Sequence, residues 1–169
     1  MRDMDERINR LNTRPATEAQ AEFLNCCGST VWARRMTEAR PFSSVDQLKQ
    51  AAERVWWSLK RQDWLESFSS HPKIGERKPE SSSHGWSEQE QSGVRSASDD
   101  TRRLMAQLNR DYEEKFGYIF IVCATGRSSD EMLTNLRERL QNSAEKELHM
   151  AAAEQAKITA LRLEKLLNS

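Results

Sequence analysis

A shortage of strand-forming segments constrains this 169-residue chain more than any other feature of its sequence. Only the apolar run 118–124, between Gly117 and Gly126, is rich enough in β-branched and aromatic residues to form a strand. A lone strand cannot form a stable sheet. We therefore expect an all-α fold in which residues 118–124 form a buried extended segment or a short core helix. A plain core role fits this run, and so does a role in which its free backbone N–H groups bind an anion.

Helical periodicity and capping residues account for the rest of the chain. The pattern predicts one domain over residues 1–169, a bundle of seven to eight helices without an internal repeat or a linker. In the helix that begins at Asp99 or Asp100, we expect Leu104, Leu108 and Tyr112 to share one face. The other predicted caps are Thr17, Ser29 or Thr30, Ser43 or Ser44, Ser129 and Ser143, and the predicted stops are Gly28, Arg40-Pro41, His71-Pro72, Gly117 and Asn142.

Composition and charge exclude several classes of protein. Basic and acidic residues number 26 each and are interspersed, and the chain has neither a basic stripe nor a zinc signature, so we expect no nucleic-acid partner. No stretch approaches the roughly 18 consecutive apolar residues that a membrane span needs. Cys26, Cys27 and Cys123 are an odd set without CxxC spacing, which is typical of buried thiols rather than disulfides or metal ligands. The residues near Met1 contain no apolar stretch of the kind that a secretory signal needs, so we expect a cytoplasmic protein. We also expect no bound metal, because the sequence has no cluster of metal ligands.

The His71-Pro72 step is the most informative site for chemistry. Proline disfavours helical geometry at the residue before it, so His71 is predicted to end a helix, where the dipole favours an imidazolium. A carboxylate beside an imidazole raises its basicity, which makes His71 and Glu90 a candidate acid–base pair. Ser87-x-x-Glu90 also fits a helix-capping box. Both roles stay open, although a capping box has no use for Gln91 or for His71.

Characteristic residues occur in a fixed order along nearly the whole chain. They are Cys26-Cys27-Gly28-Ser29 with Trp32 and Met36, Arg40-Pro41-Phe42, His71–Glu76, Trp86-Ser87-x-x-Glu90-Gln91, Asn109-x-x-Tyr112-x-x-x-Phe116-Gly117, Phe120–Ala124, Arg139-Leu140-x-Asn142, Glu147-Leu148, and Glu154-x-x-Lys157-Ile158-x-x-x-Arg162-Leu163. By this ordered set the chain resembles the 2-oxo-4-hydroxy-4-carboxy-5-ureidoimidazoline (OHCU) decarboxylase family of uric acid degradation.

The resemblance implies an all-α, cofactor-free enzyme, usually a homodimer, that converts OHCU to (S)-allantoin and CO2. It assigns catalysis to His71 with Glu90 as its partner. It assigns substrate binding to two groups of residues. The first is Pro72, Ser87, Glu88, Gln89 and Gln91, and the second is the backbone of Phe120, Ile121, Val122, Cys123 and Ala124. The chain departs from vertebrate relatives, which carry an arginine where Thr125 stands here. Arg127 could take that place only if the intervening loop folds back.

Two other functional classes stay open beside this resemblance. A helical phosphotransfer or adaptor domain with a single active histidine would need that histidine in mid-helix and exposed to solvent, whereas His71 precedes a proline. A non-catalytic scaffold would need a broad exposed apolar stripe. The remaining histidines, His84 and His149, are expected to face solvent.

Overall fold

Eight α-helices make up the regular secondary structure of the residues that the computed structural model describes, namely 2–73, 90 and 98–169. The helices are α1 (Arg2–Thr13), α2 (Ala16–Cys27), α3 (Thr30–Glu38), α4 (Val45–Trp57), α5 (Arg61–Ser69), α6 (Asp99–Phe116), α7 (Ser129–Leu140) and α8 (Ala144–Asn168). The prediction of an all-α fold is confirmed. Within this part of the chain, no helix is long and apolar enough to cross a membrane.

Several helix ends are set by local capping interactions that the sequence predicts. The Ser29 and Ser44 side chains cap α3 and α4, and each accepts a hydrogen bond from a backbone N–H three residues ahead. Gly28 and Gly117 end α2 and α6 in the left-handed region, at φ 82° and 83°. Since this region is unfavourable for residues with a Cβ, glycine is the expected stop at both places.

Three local predictions are wrong by one or two residues. Thr17 lies inside α2, which Pro15 precedes at the capping position, and α7 is capped by Ser128 rather than Ser129. Leu104 is 37% exposed, while its neighbour Met105 is buried. A spacing of four and four residues drifts about 80° around a helix, whereas the observed buried spacing of four, three and four returns to within about 20° of its start. The buried residues of α6 are Met105, Asn109, Tyr112 and Phe116.

The chain divides into two compact units, one formed by Met1–Ser67 with Ala156–Ser169 and the other by Phe68–Gln155. The core of the first unit is built around Trp32, which lies edge-on to Phe23 with ring centroids 5.8 Å apart. The Trp32 indole N–H donates to the carbonyl of Ala52 in α4, at 3.2 Å. This bond gives the polar edge of a fully buried ring a partner. The expectation of a single domain stays a prediction.

The paired cysteines of the first unit are buried thiols, as the sequence predicts. Cys26 and Cys27 are both fully buried and not linked by a disulfide. Burial raises the pKa of Cys26 to about 12 and that of Cys27 to about 11. Both side chains are therefore uncharged at neutral pH and serve as small apolar core residues.

The second unit contains a buried ion pair between α7 and α8. Arg139 and Glu147 lie 2.6 Å apart, with 1% and 0% of their side chains exposed. Glu147 also accepts hydrogen bonds from the Tyr112 hydroxyl at 2.5 Å and from the Asn142 amide at 2.9 Å. These further bonds matter because the attraction between two buried charges alone rarely offsets the cost of removing them from water.

The run 118–124 is buried but forms neither a helix nor a strand. The alternative of a short core helix is therefore wrong, and the buried non-helical alternative is the one observed. Gly117 ends α6 just before the run, and the carbonyl of Ile121 accepts a hydrogen bond from the Arg139 guanidinium at 2.5 Å. A side chain thus satisfies a backbone group that helical hydrogen bonding would otherwise have satisfied.

We predict that Arg139→Met destabilises the protein by about 3–5 kcal/mol, because it leaves the Glu147 carboxylate buried without its counter-charge. Denaturant unfolding followed by circular dichroism measures this loss. The matched control is Arg137→Met, which changes an exposed arginine of the same helix and should leave stability within about 0.5 kcal/mol. The double variant Arg139→Met/Glu147→Leu should recover part of the loss. If Arg139→Met and Arg137→Met lowered stability equally, the buried ion pair of Arg139 and Glu147 would not be important for stability.

Candidate active site

His71 lies just beyond the end of α5, as the His-Pro step predicts. Its backbone N–H donates to the carbonyl of Phe68 at 3.3 Å, which extends the last turn of the helix. The side chain is 9% exposed, and its Nε2 atom lies 2.5 Å from Oε1 of Gln155 in α8. A phosphotransfer histidine would be exposed and in mid-helix. The placement of His71 therefore argues against that alternative.

Side chains from α7 and α8 hold the segment 120–124 in place. The backbone N–H of Cys123 donates to the Glu154 carboxylate at 3.3 Å. Two residues earlier, the Ile121 carbonyl accepts the hydrogen bond from Arg139 described above, and the Arg139 guanidinium carbon also lies 4.5 Å from the centroid of the Phe120 ring. The backbone of this segment is therefore positioned by buried charged groups rather than by secondary structure.

The loop after this segment folds back on itself. The backbone N–H of Arg127 donates to the carbonyl of Ala124 at 3.0 Å, and Gly126 adopts a positive φ of 77° within the turn. The Arg127 guanidinium then lies 3.3 Å from the Glu154 carboxylate. That Arg127 takes the place of an arginine at the position of Thr125 stays a prediction.

Glu90 contributes to the electrostatics of this segment. It has helical backbone geometry and is half-buried. Burial raises the pKa of the Cys123 thiol, and the negative charges of Glu154 and Glu90 raise it further. The charge of Glu90 thus acts on the same segment as the charge of Glu154.

The structure connects two of the elements that the sequence singles out, His71 and the segment 120–124, through the last helix. His71 and Cys123 bond to consecutive residues of one helix, Gln155 and Glu154. Several of the remaining predicted residues lie outside the described part of the chain, so the capping-box alternative for Glu90 is untested. They are Ser87, Glu88, Gln89 and Gln91, together with His84. His149 is exposed, as expected.

The arrangement suits proton transfer at a site lined by backbone groups. A buried imidazole, a carboxylate and a fixed irregular segment are groups that general acid–base catalysis can use. Among the described residues, no group of three or more His, Cys, Asp or Glu side chains could hold a metal ion. The contacts of Gln155, Glu154 and Arg139 are not predicted from the sequence. Glu154 and Arg139 occur in its motifs, but no local pattern marks Gln155.

Comparison with known proteins gives the family of this chain. A family model described as OHCU decarboxylase matches residues 12–164. The chain belongs to the OHCU decarboxylase family. The resemblance inferred from the ordered motifs is thereby confirmed.

Individual relatives agree with this family. The chain is 37% identical over 152 residues to the Uric acid degradation bifunctional protein TTL of Arabidopsis thaliana, an alignment covering 87% of this chain but 47% of that protein. It therefore spans about half the length of that relative. It is 31% identical to the 2-oxo-4-hydroxy-4-carboxy-5-ureidoimidazoline decarboxylase of Halalkalicoccus jeotgali, with 94% of this chain and 93% of the relative covered.

A solved structure has the same fold. It is a crystal structure of OHCU decarboxylase in the presence of (S)-allantoin, which matches with a TM-score of 0.78 and 37% sequence identity. The match covers 88% of this chain and 99% of that one. A second crystal structure, of (S)-allantoin synthase, is 18% identical with a TM-score of 0.73 and agrees in fold.

Proposed function

We propose that this protein is a cofactor-independent decarboxylase that converts OHCU to (S)-allantoin and CO2 in the degradation of uric acid. The observation that carries the proposal is the buried His71, held beside the fixed segment 120–124 through consecutive residues of α8, in a member of this family. The known relatives named above supply the reaction, and the geometry supplies groups that suit it.

The substrate itself explains why such a small set of groups suffices. OHCU carries a carboxylate and a hydroxyl on a carbon that neighbours a C=N bond. When the bond to the carboxylate breaks, its electron pair forms a C=C bond and the imine nitrogen takes up a proton. The hydroxyl then loses its proton while the neighbouring carbon gains one, which gives allantoin. The imine acts as the electron sink that other decarboxylases take from a cofactor.

Within this reaction we assign proton transfer to His71, with Glu90 as the negative charge that favours its imidazolium form. Pro72, the turn Ser87–Gln91 and the backbone of Phe120–Ala124 are proposed to bind the substrate. The carbon that gains the proton becomes the chiral centre of allantoin, so protonation on one face sets the chirality of the product. A rigid segment that orients the substrate therefore contributes to stereochemistry as well as to rate.

We further propose that the protein is a homodimer and that it acts in the cytoplasm. The family resemblance supports the first assignment. The second is supported by the unpaired state of Cys26, Cys27 and Cys123, because free cysteines are usual in a reducing compartment.

The first test is a chiral assay of the protein with freshly generated OHCU. We expect dextrorotatory (S)-allantoin to form faster than in a protein-free control, and we expect EDTA to have no effect on the rate. Circular dichroism of the product solution follows both rate and chirality. Racemic allantoin formed at the spontaneous rate would refute the proposed function.

The second test is His71→Asn, which we predict lowers kcat by about 10²-fold or more, because asparagine cannot exchange a proton at neutral pH. The fold should be retained, since asparagine is also compatible with a helix end. A turnover assay and a circular dichroism spectrum measure the two effects. His149→Asn, which changes an exposed histidine, is the matched control and should keep full activity. Activity of His71→Asn within about threefold of wild type would show that His71 is not the acid–base group.

The third test, Glu90→Gln, separates a catalytic from a capping role. If Glu90 only caps a helix, glutamine serves equally well and activity is unchanged. If Glu90 favours the His71 imidazolium, loss of its charge lowers the pKa of His71, so activity falls and the pH–rate profile moves to lower pH. We expect the second result, with stability changed by less than about 1 kcal/mol. An exposed change on α8, Glu145→Gln, controls for the loss of one negative charge.

A further inference from the structure

Gln155 makes a hydrogen bond to a ring nitrogen of His71. Gln155 is fully buried, and its Oε1 atom lies 2.5 Å from Nε2 of His71 although the two residues are 84 positions apart. A buried side-chain amide requires partners, because an unsatisfied polar group inside a protein is costly. The contact therefore constrains both side chains.

An amide oxygen discriminates between the two neutral forms of an imidazole. It accepts a hydrogen bond from a ring N–H but cannot bond to a bare ring nitrogen, which is also an acceptor. The contact at Nε2 therefore favours the tautomer that carries its proton there. In that tautomer, Nδ1 is the basic nitrogen of His71.

The structure assigns Gln155 as a positioning residue that holds the His71 ring and its Nε2–H tautomer, so that Nδ1 exchanges the proton with the substrate. This assignment rests on the proposed function, in which His71 is the acid–base group. Gln155 does not touch the reacting atoms; it acts through His71, as the third member of a catalytic triad acts through its histidine.

The position of Gln155 in α8 adds a second constraint. Its neighbour Glu154 holds the Cys123 backbone N–H, and consecutive residues of an α-helix differ by about 1.5 Å along the axis. One rigid helix thus fixes both the imidazole and the segment 120–124. Since a small displacement of a catalytic group lowers rate substantially, both contacts are expected to affect turnover more than substrate affinity.

The first measurement does not depend on activity. In protein labelled with ¹⁵N-histidine, the ring nitrogens of His71 are assigned by comparison with His71→Asn and recorded above the pH at which they titrate. We expect the Nε2–H tautomer in the wild type and a mixture of tautomers in Gln155→Leu. A wild-type spectrum dominated by the Nδ1–H tautomer would overturn the assignment.

The second measurement is kinetic. We predict that Gln155→Leu lowers kcat by about 10–100-fold, the usual effect of removing a residue that orients a functional histidine, while KM changes much less. Gln155→Glu adds a negative charge at Nε2, which raises the pKa of His71 and moves the corresponding limb of the pH–rate profile to higher pH. An unmoved limb would show that the side chain at position 155 does not act on the titrating group, and it would overturn the assignment.

The control is Thr37→Val, which removes the buried hydrogen bond from the Thr37 hydroxyl to the Ala33 carbonyl in α3. It should cost some stability without altering the His71 tautomer or the pH–rate profile. If Gln155→Leu behaves like Thr37→Val in both measurements, Gln155 is not a positioning residue, and the proposed function still stands. If His71→Asn remains active, the proposed function fails and the assignment fails with it.

Discussion

The buried pair of Arg139 and Glu147 is the interaction on which the second unit depends. A single guanidinium contacts the Glu147 carboxylate, the Ile121 carbonyl and the face of the Phe120 ring. It therefore connects two helices to a segment that has no regular hydrogen bonding of its own. A guanidinium in the protein interior is stable only where its N–H groups donate hydrogen bonds to acceptors. The irregular segment and the ion pair thus stabilise each other.

One face of α8 organises the candidate site. Glu147 acts through Arg139 on Ile121, while Glu154 and Gln155, about two turns further along, bond directly to Cys123 and His71. A helix changes its internal spacing very little, because each turn is closed by its own hydrogen bonds. The site therefore takes its dimensions from a regular element, although the groups proposed to meet the substrate lie on irregular backbone. This combination suits a binding site in which backbone N–H and C=O groups must be both accessible to a ligand and precisely positioned.

Local features of the fold were predictable from sequence, and features that join distant positions were not. Gly28, Gly117, Ser29 and Ser44 were identified as helix ends because capping depends on a few neighbouring residues. The predicted face of Leu104, Leu108 and Tyr112 differs from the buried one, because periodicity alone does not decide which of two overlapping apolar faces meets the rest of the protein. The partnership of His71 with a glutamine 84 residues away leaves no local trace. The ordered motifs gave the candidate residues but not the contacts between them.

The turn from Ala124 to Arg127 bears on how related sequences are compared. The family resemblance predicts an arginine at the position of Thr125, where this chain has no charge. The turn instead returns Arg127 to Glu154, the residue that also holds Cys123. A chain that reverses direction within four residues can thus bring a charge from beyond the turn to the carboxylate that also binds the backbone before the turn. A comparison of sequences position by position therefore does not show which residue supplies the charge at such a turn.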